Sequence, residues 1–502
     1  MKRYKHNLSH YKLLTGNAGI LYPVSHYEVL PGDTIQQSSS CLLRASPLLA
    51  PVMHRFHVRL HTFFVPYRLL WDGWEAFITG RSTSVDGAPI LGNNVFDFTP
   101  MPDVEVGDLM DHLGVPPGDY PNQPPAYLWA WPLAAYNLIY NEYYRDQDLI
   151  NEVEWNDLNL KRVAWGKDYF TSARPWPQKG AAVTLPLGGS APITGSGAFS
   201  GASVSMQVAG APKTAVTNPE QPVSSGRYPI AVQNGEDENN PVTWTASGSV
   251  SPGSFEADLS GATASDVRDI RVAFALQRYE EARAMYGSRY VEYLRYLGVR
   301  PSDARLQRPE YLGGGKRDIS FSEVLQTAPG DNPIGSMYGH GISGMSTRRY
   351  RRFFEEHGIV MTLLSVRPQS IYTNGVYRSW LRRTKEDFFQ KELQFVGQQE
   401  ILNGEVYYTG VSANMDPFGY QDRYAEYTMV PSTIAGDFRT TLDFWHAARI
   451  FDSAPALNAT FVQCDPTDRI FSVPSEDTLW ITTQHRVAAR RLVARNPSAR
   501  II

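Results

Sequence analysis

Residues 54–65 read HRFHVRLHTFFV, placing three histidines and two arginines within twelve positions. Such a cluster could ligate a metal, face an anion or touch nucleic acid. The spacing narrows the choice. Phe56, Val58, Leu60, Thr62 and Phe64 share one parity, and Arg55, His57, Arg59 and His61 share the other. Side chains alternate across a strand with period two, so the stretch predicts one β-strand with an apolar face and a cationic face, ending at Pro66. His57 and His61 then share a face but stand roughly 13 Å apart along it, too far to hold one metal ion. What remains is a strand whose basic face is packed or turned toward an anion.

Other short motifs lead away from catalysis. GHGISG at 339–344 matches the dinucleotide fingerprint in letters, but it follows DNPIGSMY and leads into an arginine-rich segment. The fingerprint works only between a buried strand and a helix, so a glycine loop is expected here. LGGGKRD at 312–318 has Glu310 where a phosphate loop needs glycine, and no Ser or Thr after its lysine. The acidic run Glu236-Asp237-Glu238 reads as a solvated loop tip rather than a calcium site. No nucleophile elbow, zinc-protease helix or calcium loop occurs. The sequence predicts no catalytic residue, cofactor or metal, and no enzymatic role.

The arginines are more informative. Arg348, Arg349, Arg351 and Arg352 surround Tyr350 and precede Phe353 and Phe354. Residues 484–502 carry Arg486, Arg490, Arg491, Arg495 and Arg500 without an acidic residue, and read as an Arg-rich C-terminal tail. Cations interleaved with rings suit single-stranded nucleic acid, where phosphates meet guanidinium groups and bases stack. Arginine is also enriched at protein interfaces, so subunit contacts are the alternative for each cluster.

These residues must be positioned by a mainly β chain. Across 502 residues there are 40 glycines and 35 prolines, and only 20% of side chains are charged, which implies many turns and a large core. The net charge of −4 hides any local patch. Cys41 and Cys464 cannot form a disulfide framework. The basic N-terminus lacks an apolar signal region, and no run approaches the 18 apolar residues of a membrane span, so a chain made in the cytoplasm without membrane insertion is expected. Residues 84–125 are rich in Pro, Gly and Asp and predict a long loop with one short helix. A helix follows from Pro132. From Ala181 to Thr263 only Lys213 and Arg227 are positive, and small polar residues dominate. We expect residues 187–262 to be a surface insertion with light β structure of its own. Helical spacing of Val272, Leu276, Tyr279 and Tyr286, then Val291, Leu294 and Leu297, predicts a long helix over 266–297, kinked at Gly287.

Several long stretches resemble the major capsid protein of microviruses of the gokushovirus type. They include NLSHYKLLTGNAG, EVLPGDTI, SPLLAPVMHRFHVRLHTFFVPYRLLWDGWEAFITG, AAYNLIYNEYYRDQDL, TSARPWPQKG, RLQRPEYLGGG, FGYQDRYAEY and LDFWHAAR, in family order from residue 7 to about 449. The insertion and the extreme C-terminus lie outside the likeness. The resemblance implies a single eight-stranded antiparallel jelly roll with long, partly helical insertions across 1–502. It further implies pentamers assembled into a T=1 icosahedral shell of a virion around circular single-stranded DNA. The partners it implies are further copies of the chain, minor capsid, scaffolding and DNA-binding phage proteins, and a bacterial surface receptor. The insertion would form a host-attachment protrusion at the three-fold axis, with Trp244 and Phe255 pinning it or lying at its tip. The alternative from another class is a secreted β-sandwich that binds or cleaves glycans, with loop aromatics as sugar platforms; it lacks an evident carboxylate pair.

Overall fold

Alternating and continuous apolar runs sort the strands into two sheets of different character. The computed structural model describes residues 2–79, 103–120, 128–181, 183, 267–329 and 333–494, with short strand pieces between 193 and 257. The chain divides into two compact units, residues 1–181 with 277–502, and residues 182–276.

In the larger unit the sandwich strands are β1 (Tyr4–Asn7), β2 (His10–Gly16), β3 (Leu21–Val29), β4 (Thr34–Ala45), β5 (Phe56–Pro66) and β6 (Glu310–Asp318). They continue as β7 (Ser320–Leu325), β8 (Met337–Ser346), β9 (Tyr350–Phe353), β10 (Gly358–Pro368) and β11 (Leu479–Arg491). The first sheet runs from β1 and β2, end to end along β11, through β4 to β8 and β9, and closes with β7. The second runs β6-β5-β10-β3. Every pairing is antiparallel. Among the described residues eleven strands therefore make the sandwich, because breaks at Leu8–Ser9 and at 347–349 divide two rims and β7 widens one edge.

The apolar parity of β5 faces the first sheet. Val58 and Leu60 join Leu43, Leu364 and Ile481 in one core cluster, and Phe64 joins Ile35, Val360 and Val487 in another. Each such side chain contributes roughly 2 kcal/mol by leaving water. Between the two clusters lies a buried polar seam. Gln37 donates to Ser39 Oγ (3.1 Å) and Thr362 Oγ1 (3.2 Å), Thr62 meets Thr362 (3.0 Å), and His485 Nδ1 meets Ser39 Oγ (2.9 Å). Because each group has a partner, the seam avoids the cost of an orphaned buried polar atom.

The second sheet is also covered on its other face. Phe63 and Val65 of β5, with Ile359, Met361 and Leu363 of β10, pack on the helix α1 (Trp131–Tyr143) through Tyr136, Ile139 and Tyr140. Pro132 occupies its first turn, where no backbone donor is needed. The Tyr136 hydroxyl is buried, donating to Leu21 O (2.8 Å) and accepting from Lys161 N (2.9 Å). Burial on both faces explains the continuous run IVMTLLSV in β10.

The expected long helix is two helices, α2 (Val267–Tyr286) and α3 (Tyr290–Tyr296). Gly287 between them has φ of +96°, a backbone state that ends the first helix rather than bending it. GHGISG is not a loop but most of β8. A Cβ at Gly339 would collide with the Ala50 carbonyl, and one at Gly341 would lie 2.8 Å from the Phe321 ring, so the glycines permit close strand packing.

The smaller unit holds a three-stranded antiparallel sheet with Ser203–Val208 between Ala211–Lys213 and Val242–Ser247, and Ile193–Thr194 paired with Glu256–Ala257. Trp244 sits in register with Met206. Phe255 lies outside the described residues, as do Glu236–Glu238 and most of the 84–125 segment; within its described part the short helix Leu109–His112 forms.

Candidate nucleic-acid interface

The first sheet has one face in the sandwich and one in solvent. In β4 and β11 every second residue is buried, and the others point outward. Residues 486 and 490, grouped by composition with an Arg-rich tail, are therefore part of a central strand. Ile481, Thr483, His485, Val487 and Ala489 anchor it inward, and Arg486 and Arg490 project outward. Residues 495–502, the rest of the expected tail, lie outside the described residues.

Pairing through β4 brings the two arginine clusters together. Gln36 stands between Ala488 of β11 and Arg351 of β9; Ser38 faces Arg486, and Thr34 stands between Arg490 and Phe353. On the far side of β11, Lys5 faces Arg490. Adjacent strands lie about 4.8 Å apart, so Lys5, Arg351, Arg486 and Arg490 form a cationic grid at one end of the outward face. All four are exposed, and none forms an ion pair among the described residues. Arg348 and Arg349 extend the grid from the exposed turn before β9. Arg3 lies 5.0 Å above the Phe353 ring, holding that exposed aromatic at the border of the grid.

Two expected site residues do other work. Arg491 has the opposite parity to Arg490. Its guanidinium donates to Asp33 Oδ2 at 2.7 Å, and Asp33 is fully buried. Arg352 is paired with Glu310 on the edge of the second sheet. Both arginines fasten the sandwich rim.

The other end of the same face is apolar. Tyr11 and Leu13 of β2 are 72% and 68% exposed, with Trp480, Leu42 and Ile342 beside them in the ladder. Register runs Leu13–Thr482–Leu42–Gly344 and Thr15–Trp480–Arg44–Ile342. The face thus offers rings and aliphatic side chains around Arg44 at one end and a cluster of cations at the other. Lys5, Tyr11 and Trp480 were missed in the sequence; alternation through YKHN, HYKLLTG and LWITTQHRVAARR was the available signal.

The basic face of β5 goes elsewhere, into the layer beneath the second sheet. His57 Nδ1 meets Asp318 Oδ1 at 2.6 Å, and His61 Nδ1 meets the Tyr144 hydroxyl at 2.8 Å. The two imidazoles have separate partners, and burial, reinforced by Arg59 and Arg367, pushes His61 down to about 4.

A family model described as capsid protein (F protein) matches residues 1–495. The chain is 35% identical to capsid protein VP1 of Bdellovibrio phage phiMH2K, across 91% of this chain and 87% of that protein. It is 32% identical to capsid protein VP1 of Chlamydia phage 1, across 95% and 92%, and 30% identical to that of Spiroplasma virus 4, across 97% and 92%. The chain belongs to this phage capsid family. The three relatives are microvirus proteins, so the sandwich is a viral β-sandwich and this capsid protein is a structural component of a microvirus-type virion. A shell subunit needs a rigid frame with surfaces left for neighbours and cargo, and the outward face of the first sheet is exposed among the described residues.

Proposed function

We propose that this capsid protein builds a T=1 icosahedral shell through pentamers, as a jelly roll whose first sheet turns its outward face to a circular single-stranded DNA genome. One observation carries the orientation: Lys5, Arg351, Arg486 and Arg490 share an outward face with no carboxylate partner among the described residues, and the same face presents Trp480 and Tyr11. Phosphates would meet the cations, and bases would stack on the rings without regard to sequence. The role is structural rather than enzymatic. By the same reading residues 187–262 form the host-attachment protrusion, supported by a compact unit with its own sheet and almost no positive charge. Scaffolding, minor capsid and DNA-binding phage proteins, and a bacterial receptor, complete the expected partners.

The test is a fourfold neutralisation, Lys5→Gln with Arg351→Gln, Arg486→Gln and Arg490→Gln. Binding of oligo(dT) to the purified subunit should weaken, with the slope of log K against log salt smaller by roughly 3. Particles should form with less packaged DNA. An unchanged salt slope with failed assembly would instead make this face a subunit contact.

A further inference from the structure

Beneath the second sheet lies a cavity of about 540 Å³, away from the outward face described above. Seven of its lining side chains are Arg or Lys and three are Asp or Glu. The carboxylates are already engaged. Asp146 takes Lys167 at 2.6 Å, Glu292 accepts from Gln147 at 2.7 Å, and Asp303 lies 3.5 Å from Arg308. Arg59, Arg367 and Arg295 have no carboxylate partner among the described residues.

Arg59 and Arg367 are held close together by the ladder. Arg59 of β5 is in register with Ser365 of β10, which sets Arg367 on the diagonal, and Lys316 of β6 stands opposite Arg59 on its other side. Like charges at such cross-strand positions are destabilising. Arg367 is partly tied, donating to Ala164 O at 2.6 Å. Arg59 is not: its Nε is buried and has no hydrogen-bond partner among the described residues. Burial and Arg59 together push Arg367 down to about 10, which leaves it charged at neutral pH. A fold that gathers cations this way, with a buried Arg59 donor unspent, is complementary to a multiply charged anion. The remaining wall is aromatic, with Tyr143, Tyr144, Trp165 and Tyr311.

We infer that this cavity binds a nucleotide, its phosphate between Arg59 and Arg367 and its base against the aromatic wall. The volume falls within the ~300–1,000 Å³ of small-ligand sites. Two guanidinium groups fit phosphate oxygens in a bidentate manner, and the rings explain why the ligand should carry more than phosphate alone. The nucleotide is either free or a residue of a DNA strand. The site stands independently of the orientation of the first sheet.

The full chain, purified as soluble subunits free of nucleic acid, is titrated with dTMP, thymidine, inorganic phosphate and (dT)8, with melting temperature and calorimetry as readouts. We expect dTMP to bind at least tenfold more tightly than phosphate and to raise the melting temperature, and thymidine to give no shift at the same concentration. Arg59→Gln should lose the dTMP response while melting, without ligand, at the parent temperature or higher, because like-charge crowding is relieved. A merely structural Arg59 would lower it. If Arg59→Gln does not fold, Arg295→Gln at the exposed mouth should weaken dTMP several-fold with unchanged melting. Equal (dT)8 and dTMP affinity assigns the site to a strand, and weaker (dT)8 binding assigns it to free nucleotide; both uphold it. No response to dTMP, equal affinity for dTMP and phosphate, or an unaltered response in the variant that folds overturns it.

Discussion

The two sheets of the sandwich share a core but differ in what covers their backs. The second sheet is buried on both faces, and its strand β10 has Gly358 to Val366 buried without interruption. The first is buried on one face only, and β11 alternates strictly between core and solvent. The difference teaches where this protein keeps its stability and where it keeps its contacts. A doubly covered sheet contributes core on both sides and leaves little open to a partner outside the cavity beneath it. A singly covered sheet has a stable inner face and an outer face whose chemistry is free to vary. On that outer face Arg, Lys, Trp, Tyr and Leu side chains stand among Ser, Thr and Gln, and no Asp or Glu occurs along its two central strands.

The largest effect should come from cutting into the shared core. Leu364 lies in β10 with no exposure, packed among the inner residues of both sheets. Leu364→Ala should destabilise the subunit by about 2–5 kcal/mol through lost transfer energy and a cavity, read as a shift in urea midpoint at constant slope. A loss under about 1 kcal/mol would mean that the sandwich repacks easily.

A sharper comparison uses neighbouring residues of one strand. Arg491 reaches the buried Asp33 carboxylate and Arg490 reaches solvent. Removing Arg491 leaves a buried carboxylate with, among the described residues, only the Leu30 N–H (3.1 Å) on the same oxygen. Arg491→Gln should cost about 3 kcal/mol, and Arg490→Gln should stay within about 0.5 kcal/mol. Equal costs would dissolve the distinction between a rim fastener and a free cation.

The inner face of the first sheet also carries a pH signature. Burial first, then His10 and Lys12, push the His485 imidazole down to about 3, so it is neutral in the folded protein. An unfolded histidine titrates near 6.5. Between these values the unfolded chain binds the extra proton, so stability is complete above about 6.5 and is lost as pH falls, by ~1 kcal/mol per pH unit for one histidine. His26 and His54, both pushed down to about 4 chiefly by burial, act in the same direction. Urea midpoints measured from pH 7 to pH 5 should fall steadily, and His485→Gln should flatten the slope. A midpoint independent of pH would place these histidines in water.

Much of this contrast was legible in the sequence, because period and run length survive folding. The strand at 56–66 and its two parities followed from alternation, its end at Pro66 from the donor that proline lacks, and Gly287 was visible as a disturbance in a helical pattern. The glycines of β8 were misread because a glycine that admits a neighbouring backbone looks in letters like one that bends a loop. Arg486 and Arg490 were read as tail because composition spoke louder than the alternation beneath it. What no local pattern carries is register. That Arg351 and Arg490 meet the same strand, β4, depends on pairings between residues more than 300 positions apart. The cationic cavity beneath β5 depends in the same way on a layer supplied by residues 129–175 and 289–311.

The smallest effect on the subunit is expected at Trp480, and it tests whether the outward face is bare. Trp480 is 47% exposed, and its neighbour Ile481 is 2% exposed in the core. Ile481→Ala should cost about 2–5 kcal/mol as a core truncation. Trp480→Ala removes a larger side chain, yet in the isolated subunit it leaves no cavity and should cost about 0.5 kcal/mol. Its effect should appear only when something lies against the face. If that partner is single-stranded DNA, oligo(dT) affinity should fall by about 1–3 kcal/mol for the lost stacking platform, with little change in salt slope because no cation is removed. A Trp480→Ala subunit as destabilised as the Ile481→Ala subunit would show that the face is covered within the chain itself. A stable variant with full oligo(dT) affinity would leave nucleic-acid contact to the cationic end alone.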